Sequence, residues 1–439
     1  MNQDFYILKN IYNSFDPFRP LPPDHPAYVD CREVRGDGDI VVELGREILF
    51  SERMTYQLYA GHRGAGKSTE LLRLKQFLEE QDCFVVYFGA DEEDIDAEDA
   101  QYTDILLACT RHLLAELKHG DSKPLLNWLE SRWEELKSLA LTEVKFEQIN
   151  IELAISLFAK ITANLRAVPA QRQKIRELIN PHTITLIQAL NQFIVDAKNH
   201  LPAGKSRLIV IADNLDRIVP IIQEDGRTNH DHIFLDRSEQ LKALECDLVY
   251  TVPISMLYSK RAADLQNTYG DAHILPMIMV RKPDESVYEP GLNKVKEVIY
   301  KRIAQVAPDR DLETEIFTDA ASLERLCLMS GGHVRELMQL IRGAIKRTDS
   351  LPIPHRAVQR SITELRDVYR RTVQHDQWSI LAEVSRSKQL RNSDDYRNLL
   401  FNRCLLEYRY LDDQGEIKRW CDVHPLIKEI EEFQVALQQ

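Results

Sequence analysis

Gly61-His62-Arg63-Gly64-Ala65-Gly66-Lys67-Ser68 fits G-x-x-x-x-G-K-[ST] at every fixed position. It stands between a strand-like run, Met54 to Ala60, and a helix-like one that the spacing predicts over 67–81. A loop this rich in glycine lets backbone N–H groups converge on phosphate oxygens, and the helix behind it adds the positive end of its dipole. Gly61, Gly64, Gly66, Lys67, Ser68 and Thr69 form the expected nucleotide-binding set. Lys67 reaches the outer phosphates and Ser68 ligates Mg²⁺. A plain glycine turn before a helix is the bland alternative. Strand, turn and helix in register with all four fixed residues favour a nucleoside triphosphate, with ATP as the expected ligand.

Working outward, Gly204-Lys205-Ser206 repeats the letters GKS, but Asn199 stands where the first glycine would be, and a strand follows instead of a helix. That strand, Leu208-Ile209-Val210-Ile211-Ala212-Asp213, is a continuous apolar run ending in an acid, the pattern of a buried parallel strand. Its carboxylate would emerge at the C-terminal edge of the sheet, where open α/β sheets bind ligand. Asp213 is therefore the expected second magnesium residue, acting through water opposite Ser68.

Composition sets the frame. The chain has 439 residues, 44% hydrophobic and 28% charged, enough for two or three domains. No run of eighteen apolar residues and no basic-then-apolar leader is present, so neither a membrane span nor secretion is expected. Seven dispersed cysteines without a C-x-x-C pair fit reduced thiols and a cytoplasmic protein. A net charge of −13 argues against coating nucleic acid over the whole surface. Residues 351–410 nevertheless hold eleven Lys and Arg against seven Asp and Glu, while 91–104 hold eight acids and no base. That acidic run reads as a solvated loop and helix start.

Periodicity organises the rest. Strands are expected at 54–60, 83–88, 208–213, 247–252 and 273–280, separated by helical stretches, which argues a parallel doubly wound sheet. A large helical insert spans about 100–200, with helices at 105–117, 124–139, 149–165 and 184–200. The expected division is an irregular segment 1–45, an α/β core 46–285, a helical lid 286–350 and a C-terminal module 351–439. In that module, helices are followed by two strand-like runs flanking Asp412-Asp413-Gln414-Gly415, the order of a winged helix.

Taken together, the loop, the acid strand, a polar strand beside it, a lid carrying GG-x-x-R and the terminal module resemble the AAA+ P-loop ATPases, most of all the origin-recognition and STAND-like branches. The resemblance covers roughly residues 25–425, and only the two Walker motifs within it are specific. It implies an α/β P-loop NTPase fold with a parallel five-stranded sheet and helical insert, then a lid and a winged helix. It implies ATP hydrolysis, with Thr251 (or Ser255) at the end of the strand beside the Walker B strand as sensor 1. Arg335, opening a lid helix in Gly331-Gly332-His333-Val334-Arg335, implies sensor 2, where a planar guanidinium suits the γ-phosphate. Both positions have bland readings, a strand threonine and a helix break. Arg217 and Arg261 are candidates for a trans-acting arginine finger, or plain surface cations.

The main departure from the family is Asn214, where many AAA+ enzymes carry glutamate. An amide orients water but takes no proton, leaving Asp216 in Asp213-Asn214-Leu215-Asp216 as the candidate catalytic carboxylate and implying slow turnover. VPIS after the sensor 1 strand lacks the arginine expected of STAND proteins. The expected function is a regulatory ATPase that self-associates and switches an unidentified protein partner, in signalling or phage defence. The alternative is a DNA-binding initiator or loader that uses 351–439. A small-molecule phosphotransferase explains the insert and the terminal module poorly, and a GTPase lacks its N-K-x-D.

Overall fold

The computed structural model describes residues 3–137 and 150–439. The chain forms two compact units, one from residues 1–39, 61–72 and 274–439, the other from 40–60 and 73–273.

The second unit carries most of the expected five-stranded parallel sheet. Its strands are β1 (Tyr56–Gly61), β2 (Cys83–Gly89), β3 (Arg207–Asp213), β4 (Asp247–Pro253) and β5 (His273–Leu275), in the order β2-β3-β4-β1-β5. Parallel registers run from Cys83↔Arg207 to Gly89↔Asp213 and from Ile209↔Asp247 to Ala212↔Tyr250. The apolar runs of β3 and β4 are buried throughout, as strands covered on both faces must be. At their N-terminal ends Asp247 takes Arg207 Nε at 2.6 Å and the Thr55 N–H at 2.7 Å.

Expectation and structure part at several points. β5 stops at Leu275 because Pro276 brings no N–H to a ladder, so the apolar run expected as strand to 280 continues outside the sheet. Pro169–Ile179 forms a helix that periodicity missed, opened by proline at its first position. The helix expected over 124–139 breaks at Ser131-Arg132 into Lys123–Glu130 and Trp133–Leu136, and its end, with the start of the 149–165 helix, lies outside the described residues.

The acidic run is only partly solvated. Asp94 and Asp104 are buried; Arg111 holds Asp94 at 2.7 Å, and Arg176 of the missed helix holds Asp104 at 2.5 Å and Asp99 at 2.8 Å. Arg172 pairs Asp96 and Asp99 at 2.5 and 3.0 Å. Asp104 also closes a capping box at the start of Tyr102–Glu116, the helix-start role expected of it.

In the first unit the segment read as irregular over 1–45 opens with a helix, Gln3–Ser14, whose Leu8 and Ile11, followed by Phe15, are buried at helical spacing. Helices Glu289–Ala304, Ala320–Met329 and Val334–Ile345 fall in the stretch expected as a lid. Helices His355–Thr372, Gln377–Ser387 and Asp394–Phe401 precede an antiparallel hairpin of β6 (Leu405–Leu411) and β7 (Ile417–Val423), paired from Leu405↔Val423 to Leu411↔Ile417. Helices followed by a hairpin are the order expected of a winged helix.

Candidate nucleotide site

The phosphate loop lies in the first unit, and its carbonyls are tied off one after another. Lys67 Nζ donates to the carbonyls of Gly61 at 2.9 Å and His62 at 3.0 Å. The Arg63 carbonyl faces His333 Nε2 at 2.7 Å. The Gly64 carbonyl accepts the Arg335 N–H at 3.1 Å, and Ala65 O accepts Arg35 NH2 at 2.9 Å. Carbonyls held this way fix the loop's peptide planes, which is what a cradle of N–H groups needs. Gly64 has φ +90°, and a Cβ there would lie 2.7 Å from both Arg335 Cβ and His333 Cε1. No side chain fits at that position.

His333 is the stitch. Its Nδ1 accepts the Glu336 N–H at 3.1 Å, capping the lid helix, so Nε2 carries the proton that goes to Arg63 O. Burial pushes its pKa down to about 3, so the ring stays neutral. Below it Glu336 is buried, with its Oε1 accepting the Tyr369 hydroxyl at 2.5 Å and Arg403 Nε at 3.2 Å, and its Oε2 2.6 Å from His424 Nε2. Burial alone would raise this carboxyl, but its contact with His424 and the Arg403 guanidinium hold it well below the usual range. One buried carboxylate therefore joins helix Val334–Ile345 to three residues of 351–439.

The other expected nucleotide residues are placed as follows. Thr69 Oγ1 accepts the Leu21 N–H at 3.1 Å, and Glu70 takes the Tyr28 hydroxyl at 3.2 Å, so the segment after the first helix packs along the loop helix. Ser68 opens that helix, half-buried. Arg335 begins the second residue of Val334–Ile345 beside the loop, its Nε donating to Pro17 O at 3.1 Å and its guanidinium 5.7 Å from the Phe18 ring. Arg35, His333 and Glu336 escaped sequence reasoning; only the His after Gly331-Gly332, in an N-cap position, left a readable sign.

In the second unit Asp213 ends β3, fully buried. Its Oδ1 accepts the Asn214 N–H at 2.6 Å and its Oδ2 the Tyr87 hydroxyl at 2.8 Å. Asn214 adopts φ 66°, a left-handed turn that asparagine tolerates, and its amide group packs at Gly89. Asp216 is buried in the turn Leu215–Arg217. Thr251 is buried inside β4, and its Oγ1 accepts the Leu215 N–H at 2.9 Å, so it braces the turn that carries Asp216. Ser255 is buried in the turn after β4. Of the finger candidates, Arg217 pairs with Asp91 at 2.7 Å, and Arg261 with Asp236 and Asp264 at 2.8 and 3.1 Å.

β4 thus lies between the strand that feeds the phosphate loop and the strand that ends in the acid, with the polar Thr251 beside the acid's turn. The fold is the expected five-stranded α/β sheet, with the G-x-x-x-x-G-K-S loop following β1. No protein-family model and no curated protein matches the chain. Among solved structures, the Aeropyrum pernix ORC1 protein in complex with DNA has 12% identity and a TM-score of 0.40, covering 95% of this chain and 94% of that one. Cdc6p from Pyrobaculum aerophilum has 11% identity and a TM-score of 0.41, covering 97% of each. The Aeropyrum pernix ORC2 protein, as ADPNP–ADP complexes, has 11% identity and a TM-score of 0.44, again covering 97% of each.

A magnesium ion suits the oxygen donors present. It takes carboxylate and hydroxyl oxygens and keeps several waters, and the expected residues Asp213, in one unit, and Ser68, in the other, each carry such a group. Asp213 is a buried carboxyl with a donor on each oxygen. Among the described residues no helix is long and apolar enough to cross a membrane.

Proposed function

We propose that the chain is an AAA+ ATPase that binds ATP·Mg²⁺ at residues 61–69 and passes its nucleotide state to the C-terminal module. The observation that carries this is the direct hydrogen bonding of the loop backbone to the lid at His333 and Arg335, with Glu336 linking that lid helix to Tyr369, Arg403 and His424. ATP gives the loop N–H groups and Lys67 a competing partner. Lys67 must then leave the Gly61 and His62 carbonyls, and the lid contacts readjust. Ser68 and Asp213 are proposed as the metal residues, and Mg²⁺ would supply positive charge against the transferred phosphoryl group. Asp216 is the carboxylate proposed to take the proton of attacking water, Asn214 being unable to do so. Thr251 and Arg335 are proposed as the sensors of γ-phosphate.

We favour duplex DNA as the partner of residues 351–439, an initiator-like role supported by the basic balance of 351–410. A protein partner, as in a STAND-like switch, is the second reading. It is supported by the hairpin tip, where Asp412 and Glu416 hold Lys418 and leave the turn acidic. Salt-dependent binding of a DNA duplex, with and without ATP, tests the choice. Affinity that falls steeply with salt and on charge reversal at Arg386, Lys388 and Arg391 supports the first reading. ATP-dependent self-association without DNA binding supports the second.

A further inference from the structure

Tyr87 lies outside every motif in the chain, yet its hydroxyl sits 2.8 Å from Asp213 Oδ2. The sheet explains how it gets there. β2 and β3 pair in parallel with Gly89 directly opposite Asp213 and Tyr87 opposite Ile211. Residues two apart on a strand share a face, so Tyr87 is the diagonal neighbour of Asp213, within reach of an aromatic side chain. The position directly opposite the acid is a glycine. A Cβ at Gly89 would lie 2.8 Å from Asn214 Nδ2 and 2.9 Å from Glu92, so a side chain there would disturb the turn that follows the acid. The phenol leans along the strand past this gap and donates to the carboxylate.

With the Asn214 N–H on Oδ1 at 2.6 Å, both oxygens of Asp213 receive a hydrogen bond from a group the fold holds in place. A carboxylate that touches a metal's water shell works only if its remaining lone pairs are aimed, and such aiming is done by a surrounding ring of donors. We propose that Tyr87 is a positioning residue for Asp213, setting the orientation in which this carboxylate meets the hydrated Mg²⁺. The role rests on the ATP·Mg²⁺ reading above. It gives β2 a part in the site beyond supplying sheet.

The test is Tyr87→Phe, which keeps the ring and removes one hydroxyl, with Asp213→Asn alongside. Binding of a fluorescent ATP analogue is titrated across Mg²⁺ concentrations and repeated in EDTA. The Mg²⁺ half-saturation point should rise about 10–100-fold in Tyr87→Phe, the usual cost of losing such a supporting contact, and at least as far in Asp213→Asn. Affinity in EDTA should match the wild type. An unchanged half-saturation point in Tyr87→Phe, with the wild type still Mg²⁺-dependent, overturns the role of Tyr87 and leaves the nucleotide reading intact. Equal losses with and without Mg²⁺ also overturn it, since they mark general packing. A wild type that binds no nucleotide in either condition removes the underlying reading and this proposal with it.

Discussion

His62 Nε2 accepts a hydrogen bond from the backbone N–H of Glu407 at 3.0 Å, joining the first variable position of the phosphate loop to strand β6 of the C-terminal hairpin. Burial, with the charge of Lys67 adding to it, holds this imidazole neutral, and a neutral ring is what an accepting Nε2 requires. The Glu407 carbonyl in turn accepts the Met277 N–H at 3.1 Å. One residue of the hairpin therefore meets both the loop and the chain segment that follows β5.

This contact makes the hairpin report on the loop. ATP·Mg²⁺ should change amide exchange across Leu405–Leu411 in the wild type and leave it unchanged in His62→Leu. The variant's stability should shift by only about 1–2 kcal/mol, because the lost acceptor for Glu407 is offset by removal of the buried His62 Nδ1, which has no hydrogen-bond partner among the described residues. Hydrogen exchange read by mass spectrometry, with denaturant unfolding beside it, checks both halves.

Two glycines should tolerate no side chain. Gly64→Ala adds a Cβ 2.7 Å from Arg335 Cβ, at φ +90°. Gly332→Ala adds one 1.8 Å from the Ile278 carbonyl, at φ +73°. Backbone strain and displacement together should cost about 2–4 kcal/mol in each. Gly64→Ala should also weaken ATP, whereas Gly415→Ala, where none of the described residues lies within 4 Å of the added atom, should cost less. Urea unfolding of the three variants ranks them.

Turnover should depend on Asp216. Asp216→Ala is expected to lower kcat by about 10²–10⁴-fold, the usual worth of a positioned proton acceptor, with ATP affinity nearly unchanged. A steady-state phosphate-release assay measures this. Equal turnover in both proteins would remove Asp216 from the chemistry.

Acid should destabilise the fold before most carboxylates titrate. His333 and His230 are pushed by burial to about 3 and about 4, against an ordinary value of 6.5. Between those values and 6.5 the unfolded chain binds protons that the folded chain refuses. The stabilisation is complete above 6.5 and is lost as pH falls, by up to about 1.4 kcal/mol per pH unit for each ring. Glu336, Arg403, His424 and His62 surround His333, so the slope belongs to the cluster. His333→Asn keeps a capping oxygen and removes the titration. It should be less stable at pH 8 yet show a shallower fall between pH 6.5 and 5 in thermal melts.

The parts of the fold legible in the sequence are those written locally. The loop carries its glycines, lysine and serine side by side, and β3 and β4 are apolar runs that only a buried strand explains. What stayed hidden depends on partners far along the chain. Asp94 and Asp104 look like solvent-facing charge until Arg111 and Arg176 are brought against them. Tyr87 is one aromatic residue in a strand until the register places it diagonal to Asp213. The helix Gln3–Ser14 carries its buried Leu8 and Ile11 among asparagines and an aspartate, which dilute its period. Asn214 and Asp216 were readable as a departure from a pattern, but the left-handed turn between acid and carboxylate, and its brace by Thr251, were not.

The most direct measurement is equilibrium binding of ATP, with Mg²⁺, to the wild type and to Lys67→Ala by calorimetry. Binding in the wild type with a loss of about 2–5 kcal/mol in the variant, the cost of removing one partner from a buried charge pair, is the predicted result. Equal affinity in the two proteins, or no binding in the wild type, would contradict the assignment of residues 61–69 as the nucleotide cradle.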